Sequence, residues 1–191
     1  MDHLGIDNAN LLGMSLGGMV AQEVAINHPK RVWKLVLVCT STGEGEISDV
    51  HPEMLRAIGV KEGSDVPDLR SVDFTESMGT IVSLAFNKRL YRMILVQLSK
   101  LQMRRIGVEA HIQQMEAVIG YSTVERLHLI ASPTLVITGT EDRIISPRSS
   151  DEIASKILNA RLVRIDGGSH AFSMEMRGRF NREVLDFLRG G

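Results

Sequence analysis

Gly13-Met14-Ser15-Leu16-Gly17 brackets a hydroxyl with glycines two positions before and two after it, and Gly18 extends the small-residue stretch. A serine hydroxyl is a poor nucleophile at neutral pH, so chemistry here would need a base, and the base an orienting acid. Small residues at those positions let neighbouring backbone pass close without a Cβ clash. On a sharp strand-to-helix turn, Ser15 would stand clear of the sheet. The N–H of Leu16 would then aim at an oxygen gaining charge during attack on a carbonyl, helped by the positive end of the new helix. The five letters alone are a weak signal. Their context decides.

The flanking residues supply that context. Leu11-Leu12 is a short apolar run ending at Gly13, and from Gly17 onward Val20, Val24 and Ala21, Ala25 fall at helical spacing. Asn27-His28-Pro29 then stops the helix, because the residue before proline is driven from the helical region. Val32 to Cys39, with Leu35-Val36-Leu37-Val38 uninterrupted, suits a strand buried on both faces of a parallel sheet. Similar runs follow at Thr134-Leu135-Val136-Ile137 and Leu162-Val163-Arg164-Ile165. Between them the spacing predicts a helix over Pro147 to Leu158, with Ile153, Ala154, Ile157 and Leu158 on one face. A last helix carries Phe180, Val184, Phe187 and Leu188 on one stripe. Strands alternating with helices predict an α/β fold with a mostly parallel sheet flanked by helices.

Partners for Ser15 are expected on loops after later strands, in the order serine, acid, histidine. Asp142 follows one strand-like run within Thr138-Gly139-Thr140-Glu141-Asp142, and His170 follows the next within Asp166-Gly167-Gly168-Ser169-His170. Both sit where open α/β sheets place their sites, at the C-terminal ends of strands. Each also has an ordinary reading: Asp142 as a cap near Ser146-Pro147, His170 as a plain loop histidine. Their joint placement favours chemistry, with Asp142 the expected acid and Glu141 its alternative.

Ser15, Asp142 and His170 with their surroundings resemble an α/β-hydrolase of the esterase and 3-oxoadipate enol-lactonase branch. The resemblance extends through Val32-Trp33-Lys34-Leu35-Val36-Leu37-Val38-Cys39, through Ser132 to Asp142 with Ile145-Ser146-Pro147, and through the ending Phe180 to Leu188. It implies a serine hydrolase acting on a small carboxylic ester, lactone or thioester through an acyl-enzyme, with no cofactor. It also sets aside relatives with an aspartate nucleophile, and those with an acid near Thr40, since Cys39-Thr40-Ser41 offers none.

Residues 1–42 and 132–191 are thus expected to form the hydrolase core, and 43–131 a helical cap insertion. In that insertion a turn cluster stands at Gly63-Ser64-Asp65-Val66-Pro67-Asp68. Tyr91, Ile94, Leu95, Leu98 and Leu101 trace one helical face, and Ile112, Met115, Val118 and Ile119 a second. Met78, Met93, Met103 and Met115 are read as core packing, with an adaptable acyl pocket as the alternative. Lys88 to Arg105 holds six basic residues and no acidic one, read as the solvated face of a cap helix rather than an anion or membrane surface.

Composition narrows the classes. Charge balances, 22 Lys+Arg against 23 Asp+Glu, which argues against a nucleic-acid binder. Cys39 is the one cysteine, so an internal disulfide and a Cys-based metal cage are excluded; the six histidines lack ligand spacing, and a cytoplasmic home is expected. No window has the length of a membrane span.

The resemblance further implies that strands and an oxyanion loop precede the nucleophile strand, whereas only Met1 to Asn8 lies before Ala9. The expectation is a truncated α/β-hydrolase with one oxyanion donor. Its apolar Leu11-Leu12 edge would be covered by a second copy or by a missing N-terminal segment. The other reading is a catalytically weak remnant serving binding or assembly.

Overall fold

The computed structural model describes residues 1–43, 51–60, 68–103 and 108–190. Four strands, β1 (Ala9–Met14), β2 (Val32–Val38), β3 (Thr134–Gly139) and β4 (Ala160–Ile165), form one sheet in the order β1-β2-β3-β4, every pair parallel. Helix α1 (Leu16–Asn27) connects β1 to β2, and α6 (Pro147–Lys156) connects β3 to β4. Between β2 and β3 lie α2 (Pro52–Ala57), α3 (Phe74–Ala85), α4 (Arg89–Met103) and α5 (Val108–Val118). The chain closes with α7 (Phe172–Glu175) and α8 (Arg177–Arg189).

The period-two geometry of β2 divides the core. Leu35 and Leu37 face one side, with Ala21 and Ala25 of α1, Ile153 of α6, Leu127 and Ile130. Val36 and Val38 face the other, with Leu135, Ile137, Ile165, Phe172 and the α8 stripe of Phe180, Val184, Phe187 and Leu188. All four β2 residues are fully buried, as their continuous apolar run requires. Helix α1 ends at Asn27 ahead of His28-Pro29, and α6 starts with Pro147 behind a Ser146 hydroxyl that accepts from the Arg148 N–H.

At the edge, β1 pairs only with β2 among the described residues, and Leu12 on it is 46% exposed. No described helix is long and apolar enough to cross a membrane.

Several expectations change. Helix α6 stops at Lys156 and Ile157 is extended, so Leu158 leaves the buried face and is 89% exposed. On α4, Tyr91 and Leu95 pack toward Ala85 and Phe86, whereas Ile94, Leu98 and Leu101 are 50%, 54% and 52% exposed. The helical period holds, but the expected face runs from the covered side of the helix onto its exposed side. Ile112 of α5 is buried but Ile119 is exposed. Met93 is exposed too, which removes it from core packing. Apart from Asp68, the turn cluster at 63–68 lies outside the described residues, as do Arg104 and Arg105.

Candidate active site

Ser15 occupies the one-residue turn between β1 and α1, with φ 53° and ψ −125°. Positive φ is costly for a residue with a Cβ, so neighbours must hold it. The Ser15 N–H donates to the Val38 carbonyl at 2.9 Å, and the Thr40 hydroxyl donates to the Ser15 carbonyl at 2.8 Å. That carbonyl also receives the Gly18 N–H at 2.8 Å. A Cβ on Gly13 would collide with the Gly17 carbonyl and Ala21, and one on Gly18 with the Thr40 side chain. The steric need expected at Gly17 is not there: a Cβ on it would meet nothing within 4 Å. Leu16 opens α1, so its N–H belongs to the first turn, where amides have no intrahelical acceptor.

Asp142 and His170 arrive on two loops that cross almost backbone to backbone. A Cβ on Gly139 would collide with the Gly168 and Ser169 carbonyls, so both loops depend on bare backbone there. Across the crossing, the Thr140 N–H donates to the Ile165 carbonyl at 3.0 Å and the Glu141 N–H to the Gly168 carbonyl at 2.8 Å. The result is a buried pair, His170 Nδ1 to Asp142 Oδ2 at 2.8 Å. The other carboxylate oxygen, Oδ1, accepts the N–H groups of Ile144 and Ile145 at 2.8 and 3.0 Å. Asp142 is therefore fixed at both oxygens, and it holds the imidazole of His170 at Nδ1.

Glu141, the alternative acid, points elsewhere and accepts from Asn87 Nδ2 at 2.6 Å. Strand β1 and helix α7 also touch, through Ser173 Oγ donating to Met14 Sδ at 3.7 Å.

Cys39 follows β2 at φ 44° and is fully buried. Burial, then the Asp142 carboxylate, pushes its thiol well above the usual range. Donor atoms of Cys39, Asp142 and His170 lie within 4.8 Å of one another. Two of the three are already bonded to each other, so a metal there would have to part Asp142 from His170. The sequence reading did not place Cys39 beside the acid. It also missed Asn87 and Glu175, whose bonds tie the region between β2 and β3 to these loops. Neither belongs to a motif, and nothing local in the chain distinguishes them. A cavity of about 680 Å³ opens beside this junction, lined by Asn87, Arg92, Thr140, Glu141, Asp142 and Arg143.

A parallel sheet with a serine on the sharp β1–α1 turn, an acid after β3 and a histidine after β4 bonded to it, defines a class of protein. Residues 1–176 match the α/β hydrolase fold, and the chain belongs to that family. Among curated relatives, it is 30% identical over 189 residues to a poly(3-hydroxyalkanoate) depolymerase of Ectopseudomonas oleovorans, covering 99% of this chain and 64% of that protein. It is 30% identical over 190 residues to polyketide synthase ThaQ of Burkholderia thailandensis, covering 98% of this chain and 9% of that protein. The chain thus spans less than two thirds of either relative. Among solved structures, a hydrolase from Pseudomonas aeruginosa PA01 superposes with a TM-score of 0.79 at 28% identity, over 99% of this chain and 68% of that one.

Proposed function

We propose that this chain carries the catalytic triad of a serine hydrolase for carboxylic esters or the related lactones and thioesters. One observation carries the reading: the buried 2.8 Å bond between His170 Nδ1 and Asp142 Oδ2, with the acid's second oxygen locked by two amides. In this reading Ser15 Oγ attacks the carbonyl carbon while His170 Nε2 takes its proton, and Asp142 holds the imidazole in the required tautomer. The Leu16 N–H stabilises the oxyanion. Collapse expels the alcohol or thiol, protonated by His170, and leaves an acyl-Ser15. Water, deprotonated by His170, then releases the acid and restores the serine.

The helices between β2 and β3 would form a cap over the substrate, and the enzyme would work in the cytoplasm, where a lone thiol stays reduced. Names among the relatives fit ester-type chemistry, a depolymerase of poly(3-hydroxyalkanoate) and, in fold, an enol-lactonase from Burkholderia xenovorans LB400.

The test is turnover of p-nitrophenyl acetate together with covalent labelling by a fluorophosphonate. Ser15→Ala is expected to abolish both, with the rate falling by roughly four orders of magnitude or more. Turnover that survives Ser15→Ala would falsify the mechanism.

A binding or assembly role is the second reading, favoured by the open β1 edge with its exposed Leu12. There a second copy of the chain, or a segment preceding it, would cover the edge. It expects an unlabelled Ser15 in a stable oligomer.

A further inference from the structure

The tip between α3 and α4 is fastened to both loops of the candidate site, and one side chain accepts from two successive amides of the tip. Glu175, at the end of α7, accepts from the Asn87 N–H at 3.2 Å, the Lys88 N–H at 2.5 Å and the Ser169 hydroxyl at 2.5 Å. Its own carbonyl accepts from Lys88 Nζ at 2.8 Å. Ser169 immediately precedes His170, and the next residue, Ala171, donates its N–H to the Ala85 carbonyl at the end of α3 at 2.9 Å. Asn87 Nδ2 completes the clasp on the other side, reaching Glu141 Oε2 beside Asp142 at 2.6 Å. The tip is therefore linked to Ser169 through Glu175, while the end of α3 meets Ala171 and Asn87 meets the residue next to the partner acid directly.

These bonds are of the strong kind. An ionised carboxylate accepting from N–H and O–H groups makes bonds about twice as strong as neutral ones. A half-buried carboxylate answering two successive backbone amides and a hydroxyl on another loop leaves little freedom to any of the three.

We propose that Glu175 is a positioning residue: it couples the seating of the α3–α4 tip to the alignment of His170, so that roof and base are set as one unit. This rests on the serine hydrolase reading given above. A latch confined to the roof would affect only how substrates bind. A latch that sets His170 affects the chemical steps of every substrate, including one too small to need a roof.

The experiment uses Glu175→Gln, which keeps volume but turns an NH2 donor toward one of the three donors, and Ser169→Ala, a milder change that removes only the hydroxyl arm. Steady-state kinetics with p-nitrophenyl acetate and p-nitrophenyl hexanoate are read beside amide hydrogen exchange at Lys88 and Ala171. With Glu175→Gln, kcat is expected to fall about tenfold on both esters while KM stays within about twofold. Exchange should accelerate by about tenfold or more at both amides. Ser169→Ala should move the same quantities in the same direction, by about threefold. A normal kcat on the acetate with a raised KM for the hexanoate alone, or faster exchange at Lys88 with Ala171 unchanged, would overturn the coupling. A wild-type chain that turns over no ester sinks the hydrolase reading instead, and exchange at the two amides then decides the latch by itself.

Discussion

The sheet and the helical region between β2 and β3 are built on opposite economies of burial. Leu35 through Val38 of β2 and Leu135 to Ile137 of β3 are entirely enclosed, with a helix layer over each face. Helix α4, by contrast, is covered along the side that carries Tyr91 and Leu95, while Leu90, Met93, Ile94, Leu98 and Leu101 face outward. In the sheet the backbone leaves no choice: neighbouring strands fix both faces of every residue. An isolated helix has a free rotation about its own axis, and only its neighbours decide which stripe is covered. Candidate site residues with two-sided support, such as Asp142 and Ser15, belong to the first regime. The latch at Glu175 is where the second regime is pinned to the first.

Substitutions can break this contrast. Leu37→Ala removes a fully buried side chain between α1, α6 and the sheet, and is expected to cost about 2–5 kcal/mol in chemical denaturation. A loss under about 1 kcal/mol would mean that the core is far looser than its burial implies.

A smaller effect tests the join between the regions. Arg126, which follows the helical region, pairs with Glu23 of α1 at 2.9 Å and 2.5 Å through its two terminal nitrogens. Hydrogen bonding to Arg126 holds the Glu23 carboxyl below its ordinary value. A depressed folded-state value stabilises above the unfolded carboxylate range, and that stability is lost as pH falls through the folded value. Both groups are partly exposed, so Arg126→Met should lower stability only slightly at neutral pH. The difference should vanish once the pH lies below both values; a difference that persists there would place the role of Arg126 in packing rather than charge.

Smallest is Leu98→Ala on the outward face of α4, expected within about 0.5 kcal/mol of wild type. A cost comparable to that of Leu37→Ala would show that something covers α4 in solution, and the contrast would collapse.

Legibility in the sequence followed the same divide. The four strands, α1 and α8 were readable because their signals are local: apolar runs of strand length, helical spacing, and Pro29 as a stop. The turn at Ser15 was readable because its small residues are demanded by contacts a few positions away, although the tight contact fell on Gly18 against Thr40 rather than on Gly17. The helix over 89–103 was also readable, but its covered face was not. Leu158 misled for a related reason: α6 ends two residues before it, where Ile157 turns extended to start the approach to β4.

The sequence by itself determined the order of strands and helices, the position of Ser15 at a strand-to-helix turn, and Asp142 and His170 as candidates after successive strands. Each of these rests on interactions within a few residues or on the period of one element. Tertiary structure alone decided that the loops cross at Gly139 and Gly168, that the Asp142 carboxylate lies beside the Cys39 thiol, and that Glu175 clasps Asn87, Lys88 and Ser169. Most of those contacts join residues far apart in the chain, and the bonds at Asn87 and Lys88 are to backbone amides that every residue but proline possesses, so no side-chain pattern announces them.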